Sequence, residues 1–406
     1  MSPRAELVAS AALAAVTLAA DAFALATGNG RLAAIAVVPA LVVCTVGAVV
    51  GYVRAARGTA GSSGALSLDP VTGLADASQL RADLEEFVVE DLPGERLTLL
   101  ILDLVGFKRY NDAFGFACGD ALLRRLSRRL SEVMKDRGRA YRLRGAQFAV
   151  VSPGAKTAGL RAAASDAVLE IGEGFMVRGA HGSVLLPDEA KSVSQALKLA
   201  DQEIQAQRAT LRSHGLDELS ANGLRPATKI AKSPFDIVEL AVAVAQHMGM
   251  TGHEVGHLES ATSLRDVGMM ALPDELAHAG GMLSEEDGQF VRLHTLAGER
   301  LLRSNFRMDA VADIVRASHE QWDGEGYPDG LAGDDIPLAA RIVFVCCAFE
   351  DMTAHHAKRP PMETEMALRE LQRGSGTLYD PCVVGAFVAI FSDRAGTADP
   401  VGSPAA

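Results

Sequence analysis

Ala33 to Val53 is a run of twenty-one residues without a charged side chain, and this run more than any other feature restricts what the chain can fold into. As a helix rising about 1.5 Å per residue it spans the roughly 30 Å hydrocarbon core of a bilayer. A second apolar stretch, Leu7 to Thr27, is broken only by Asp21, and the polar turn Gly28-Asn29-Gly30-Arg31 separates the two. The spacing predicts a transmembrane helical hairpin over 1–57, with spans at about 7–27 and 33–53. Arg4 precedes the first span, Arg54 and Arg57 follow the second, and only Arg31 opposes them, so the positive-inside rule puts both ends in the cytoplasm. The competing reading, a cleaved signal peptide, fits the length of the first stretch and its Asp21 less well.

The remaining chain is long enough for two soluble domains. Residues 58–67 (GTAGSSGALS) have the composition of a flexible linker. Beyond it, LTLLILD at Leu97–Asp103 reads as a buried strand, Asp120 to Met134 has helical leucine spacing, and Ala140 to Val151 reads as a hairpin. An α/β domain is expected over 68–215, a linker over 216–232, an all-α domain over 233–394 and a disordered tail over 395–406. With a net charge of -12, a broad nucleic-acid surface is excluded, because phosphate contacts need clustered Lys and Arg. Cys44, Cys118, Cys346, Cys347 and Cys382 form no paired framework, which suits a reducing cytosol.

Within the α/β region, DPVTGLADASQL (69–80), LLILDLVGFKRYNDAFGFACGDALL (99–123), AYRLRGAQF (140–148) and LLPDEAKSVSQALKLADQEIQAQR (185–208) resemble the diguanylate cyclase (GGDEF) family in order and spacing. That family condenses two GTP molecules with Mg²⁺ held by carboxylates. The resemblance implies Asp103 as a metal carboxylate, Asn111 and Asp120 as guanine readers, and Lys108 as a phosphate contact. The signature turn reads Arg144-Gly145-Ala146-Gln147-Phe148, so Ala146 stands where a metal carboxylate is implied and Gln147 is neutral. Val105 replaces a second acid, Arg144 a glycine, and Lys135 and Gly138 the ends of an inhibitory RxxD. Loss of cyclase activity is expected. Asn111 and Asp120 remain open to two readings, retained GTP binding or simple loop and helix-cap roles.

In the helical region, SHEQWDGEGYPDGLAGDDIPLAARI (318–342) resembles the HD-GYP phosphodiesterase family. LRDVGMMALPDE (264–275), RLHTLAGERLL (292–302) and TLYDPCVVGAF (377–387) support it in order. The family hydrolyses cyclic di-GMP with two or three metal ions, and the resemblance implies Asp266, His294 and His319 as ligands and Gly326-Tyr327-Pro328 as the GYP loop. Arg265, Ser318 and Cys347 stand where other ligands are implied, as does a position near Ser233, and Met269 replaces a lysine. Too few ligands remain for a shared multi-metal centre, and Asp266 and His319 are expected to pair with Arg265 or with backbone groups. His253-Glu254-Val255-Gly256-His257 fits HExxH, but it lacks a third ligand and lies in the helix before Arg265, so it is read as structural. His355-His356 is read as an exposed loop.

These readings combine into a membrane-anchored cyclic-dinucleotide signalling protein of the bacterial inner membrane that acts without catalysis as a sensor or scaffold. No cofactor is expected beyond a residual divalent metal. The expected partners are the membrane, GTP or cyclic di-GMP, other signalling proteins, and a second copy in a homodimer. The alternatives are residual metal-dependent cyclic di-GMP hydrolysis, or a purely structural interaction protein.

Overall fold

The structure, a computed structural model, describes residues 66–90, 95–154, 157–213, 235–279, 283–355 and 360–396. The expected membrane hairpin, the linker at 216–232, Ser233 and His356 lie outside them. Among the described residues no helix is long and apolar enough to cross a membrane.

The α/β domain runs α1 (Ala77–Glu90), β1 (Leu97–Val105), α2 (Phe107–Phe114), α3 (Phe116–Met134), β2 (Arg139–Arg142), β3 (Gln147–Pro153), α4 (Thr157–Ala167), β4 (Glu170–Gly172), β5 (Phe175–Leu186) and α5 (Val193–Ser213). The five strands lie in the order β2-β3-β1-β5-β4, every pair antiparallel. Strand β1 is central and covered on both faces, which explains its unbroken apolar sequence. Leu100, Leu102 and Leu104 point to one core and Leu99, Ile101 and Val105 to the other, as the two-residue strand period requires. Asp103 is in register with the second set, on the face that α5 covers with Ala196, Ala200 and Ile204. That four-residue stripe continues to Arg208. Gly106, just after β1, has φ +90°, and a Cβ there would stand 2.4 Å from the Met176 carbonyl, so only glycine lets the chain turn into α2.

The helical domain begins with α6 (Ile237–His247) and α7 (Gly252–Leu264), followed by a 3₁₀ turn, Val267–Ala271, and the short α8 (Asp274–Ala277). Then come α9 (Glu285–Arg292), α10 (His294–Leu301), a π-turn at Leu302–Phe306 and α11 (Asp309–Arg316). The long 317–337 loop leads to α12 (Leu338–Thr353), α13 (Thr364–Arg373) and α14 (Pro381–Gly396). Helix α14 runs past the expected domain end at 394, because Ala395 and Gly396 continue its hydrogen-bonded turns. Helix α7 opens with a capping box in which Glu254 accepts from Thr251 N at 2.8 Å and Oγ1 at 2.7 Å. The acid of the HExxH pattern is therefore a helix cap, while His253 and His257 share one face with ring centroids 4.2 Å apart.

Length suggested separate cores, yet one buried cluster runs from Phe107, Tyr110 and Phe114 through Met270, Ala271 and Leu272 into the helical domain. From Ser67 onward the described residues form one compact unit.

Candidate functional site

At the end of β1, Asp103 stands opposite Gln147 in the β1–β3 ladder, which places the signature turn beside it. The Arg208 guanidinium lies 3.1 Å from Asp103 Oδ2. Burial pushes the Asp103 carboxyl up, while Arg208 and a hydrogen bond from Gln147 hold it back. Gly106, Lys108, Asp112 and Arg208 line an open pocket of about 430 Å³ next to this pair. Arg144 and Gly145 are exposed, Gly145 has φ +54°, and Ala146 lends its carbonyl to Leu104 N at 2.9 Å. Phe148 is fully buried beneath the Arg142 guanidinium, 4.8 Å from the ring centroid.

Asn111 and Asp120 are not on the wall of that pocket. The Asn111 side chain is pressed against α3, where a Cβ on Gly119 would fall 1.8 Å from its Oδ1. That Oδ1 is buried and has no hydrogen-bond partner. Asp120, the next residue, is half-buried and near Arg142, whose charge it supports against burial. The structure thus divides the four implied nucleotide residues: Asp103 and Lys108 share the pocket region with Arg208, while Asn111 lies against Gly119 of α3 and Asp120 stands near Arg142.

In the helical domain Arg265 follows α7 directly. Its Nη2 is 2.8 Å from Glu350 Oε2, its Nε is 3.4 Å from Asp266 Oδ2, and its Nη1 donates to the Thr262 carbonyl at 3.1 Å. The His294 and His319 rings meet edge to face at 4.9 Å between centroids, and Tyr327 of the GYP loop stacks on His319 at 5.0 Å. His294 Nδ1 is 2.8 Å from the Val291 carbonyl, a contact that fits the N–H on Nδ1, and its buried Nε2 has no partner. Burial pushes His319 down to about 3, with His294 and Arg265 adding to the effect, and burial lowers His294 as well. The Cys347 thiol is pushed up to about 12 by burial against the pull of Arg265. Ser318 donates to the Val315 carbonyl at 2.8 Å.

The GYP loop is held by its own packing. The buried Glu320 carboxylate accepts from Asp329 N at 2.7 Å and Leu331 N at 3.1 Å, and Arg316 clamps Asp329 with two contacts of 2.7 Å. At Gly326 a Cβ would lie 2.3 Å from Gln321 N, so the glycine is a close-approach position.

Residues 66–214 match the family described as diguanylate cyclase, GGDEF domain, and residues 190–383 match the HD domain family. The chain carries a GGDEF domain followed by an HD domain. Relatives include a cyclic di-GMP phosphodiesterase of Thermotoga maritima, 37% identical over 37% of this chain and 41% of that protein. A 3′3′-cGAMP-specific phosphodiesterase 2 of Vibrio cholerae is 34% identical over 35% of this chain and 27% of that one. The chain thus matches less than half the length of either relative. Among solved structures, a sensory box/GGDEF family protein from Caulobacter crescentus is 27% identical over 36% of this chain and 99% of that one, with a TM-score of 0.33.

Inside the HD domain the residues brought together are Arg265, Asp266, Glu350, His294 and His319 with Tyr327. Among the described residues no group of three or more His, Cys, Asp or Glu side chains is arranged to hold a metal ion. A divalent metal, which the family resemblance implies, does not fit this set. The guanidinium of Arg265 pairs with Asp266, the one carboxylate that the resemblance implies as a ligand, as well as with Glu350, and the thiol of Cys347 is held protonated at neutral pH. Sequence reasoning missed Arg208 and Glu350. Both lie in the quoted motif region or just after it, at the end of QEIQAQR and within VCCAFED, and only the fold shows which acid or base each one faces.

Proposed function

We propose that this chain is a membrane-anchored cyclic-dinucleotide signalling protein of the bacterial inner membrane, with both domains cytoplasmic, that works without catalysis as a nucleotide sensor or scaffold. The observation that carries this reading is Arg265, whose fixed positive charge is paired at 2.8 Å with Glu350 and 3.4 Å with Asp266. A permanent cation there opposes a second one, and removing shared ligands from a multi-metal centre lowers affinity for every ion in it. Arg208 on Asp103 gives the GGDEF domain the same arrangement, a guanidinium on the remaining carboxylate. The named relatives' substrate, a cyclic dinucleotide, supplies the ligand class.

Residual phosphodiesterase activity is the second reading, and the unpartnered, buried Nε2 of His294 favours it, since that is the atom a metal would take. One experiment separates the two. The full chain is incubated anaerobically with Fe²⁺ or Mn²⁺ and cyclic di-GMP, then analysed for linear dinucleotide and bound metal. The sensor reading expects neither product above a no-protein control nor stoichiometric metal, and expects Arg265→His alone to restore nothing, because Ser318 and Cys347 still stand at ligand positions. Turnover by the natural chain establishes the second reading, and turnover by Arg265→His alone shows that the remaining positions suffice.

A further inference from the structure

The two stretches of the HD domain that carry its central residues both rest on one helix of the GGDEF domain. The 3₁₀ turn that follows Arg265 and Asp266 ends at Ala271, whose carbonyl accepts from the buried Tyr110 hydroxyl at 2.7 Å. Helix α10, which begins at His294, sends Arg300 to the Asp112 carbonyl, Nε and Nη2 each at 3.2 Å. Tyr110 and Asp112 both belong to α2, and Lys108 and Asp112 of the same helix line the 430 Å³ pocket. Turn and helix are also locked to each other, since a Cβ on Gly268 would stand 1.8 Å from the His294 carbonyl.

The contact surface is shaped for this partner. Gly172 and Gly174 flank the β4–β5 turn, and a Cβ on either would come within 2.5 Å of the Leu272 carbonyl or 2.9 Å of the Met270 carbonyl. Tyr110 packs edge-on against Phe175 at 4.7 Å and tilted against Phe114 at 5.0 Å, leaving its hydroxyl to face the HD turn. On α3 the buried Arg125 binds Glu170 of its own domain at 3.0 Å together with Asp287 and Glu275 of the HD domain. A packed contact of this kind transmits displacement, because an interior at crystal-like density has no room to absorb it.

We propose that α2 is a shared positioning element, a docking face for the chain's own HD domain whose placement sets both the GGDEF pocket and the Arg265–His294 centre. A triphosphate nucleotide seated on the Lys108 side of α2 then alters the HD centre, and by linkage a ligand at the HD centre alters nucleotide affinity. The nucleotide half of this statement rests on the sensor reading above. The mechanical half does not.

Hydrogen exchange measured by mass spectrometry on the full chain tests both, because protection reports local opening. Each variant is read at the segment that does not carry the hydrogen bond it removes. In ligand-free protein, Tyr110→Phe should speed exchange across 292–301, and Arg300→Gln should speed it across 265–272, each by about fivefold or more, the low end of ordinary coupling energies. Segment 338–353 should stay unchanged in both. Saturating GTP should slow both responsive segments in the natural chain, and Tyr110→Phe should remove that response while calorimetric GTP binding persists. If calorimetry finds no GTP binding while the cross-segment effects remain, the pocket reading falls and the positioning role stands. If each variant disturbs only its own segment, or GTP binds with no change at either segment, the proposal is overturned. Arg300→Gln alters an exposed side chain, so it keeps the test available should Tyr110→Phe fail to fold.

Discussion

Arg208 holds its guanidinium 3.1 Å from the buried carboxylate of Asp103, joining the last helix of the GGDEF domain to the end of its central strand. Because burial raises the folded-state Asp103 above its ordinary value of 3.8, its favourable contribution is present below about that pH and is lost as pH rises through the raised value. Arg208 limits the loss. Arg208→Gln should therefore cost about 1–3 kcal/mol at neutral pH, the usual penalty for stranding a buried polar group. Adding Asp103→Asn should recover most of it. Urea unfolding of the two single variants and the double variant measures the coupling, and strictly additive effects would show that the pair is not interacting.

Arg125 and Arg128 sit one turn apart on α3 and both reach Asp287 of the HD domain, yet their burial differs. The Arg125 side chain is 8% exposed and binds Glu170, itself 5% exposed, whereas Arg128 is 42% exposed. Arg125→Leu should destabilise the chain by about 3–5 kcal/mol, because it leaves the Glu170 charge buried with less compensation. Arg128→Leu should cost less than about 1 kcal/mol and lose even that in high salt. Equal losses in thermal unfolding would contradict the burial argument.

The motif residues were readable from sequence because strand and helix periods announce themselves locally. LTLLILD is a buried strand, and Asp103 at its end follows from the same run. Spacing cannot show pairing between residues a hundred positions apart, and Arg208 and Asp103 are such a pair, as are Tyr110 and Ala271. Gly172 and Gly174 clear space for Leu272 and Met270, a role that exists only once two domains meet. The Arg265 pairing with Asp266 was legible because the residues are adjacent, but its closer partner, Glu350, comes from α12. His319 was expected to pair with Arg265 or backbone, and its ring instead stacks on Tyr327.

His319 gives the HD domain a pH dependence of known sign. Its folded-state value of about 3 lies below the ordinary 6.5, so the unfolded chain binds the proton first as pH falls. Stability is then fully present above about pH 6.5 and declines toward pH 3, with a limiting slope of about 1.4 kcal/mol per pH unit for one group. Burial is the main cause and His294 the next, with Arg265 third. Arg265→Gln should make the slope shallower, and His319→Gln should remove this contribution. Chemical denaturation between pH 4 and 7 reads both, and a slope unchanged in His319→Gln would assign the acid sensitivity elsewhere.

The last prediction concerns whether the divided pocket binds GTP, and through which contacts. Lys108 and Arg208 face the pocket beside Asp103, so phosphate recognition there does not need the metal carboxylate that Ala146 replaces. Affinity should be micromolar or poorer and nearly independent of Mg²⁺, since the charge that opposes phosphate repulsion is fixed in arginine and lysine side chains. Asn111 Oδ1 lies buried against Gly119, so reading of the base falls chiefly to Asp120. A carboxylate accepts from the N–H donors on the guanine edge and repels the adenine acceptor at the same place, so ATP should bind more weakly than GTP. Each surviving hydrogen bond is worth about 0.5–1.5 kcal/mol, more where charge assists, so Asp120→Ala should lower GTP affinity roughly tenfold and equalise the two nucleotides. Asn111→Ala should change affinity far less. Calorimetry on the full chain with GTP and ATP, with and without Mg²⁺, decides the matter. Absence of GTP heat, or equal binding of both nucleotides by the natural chain, would leave the GGDEF domain as the docking partner of α10 and the 3₁₀ turn and nothing more.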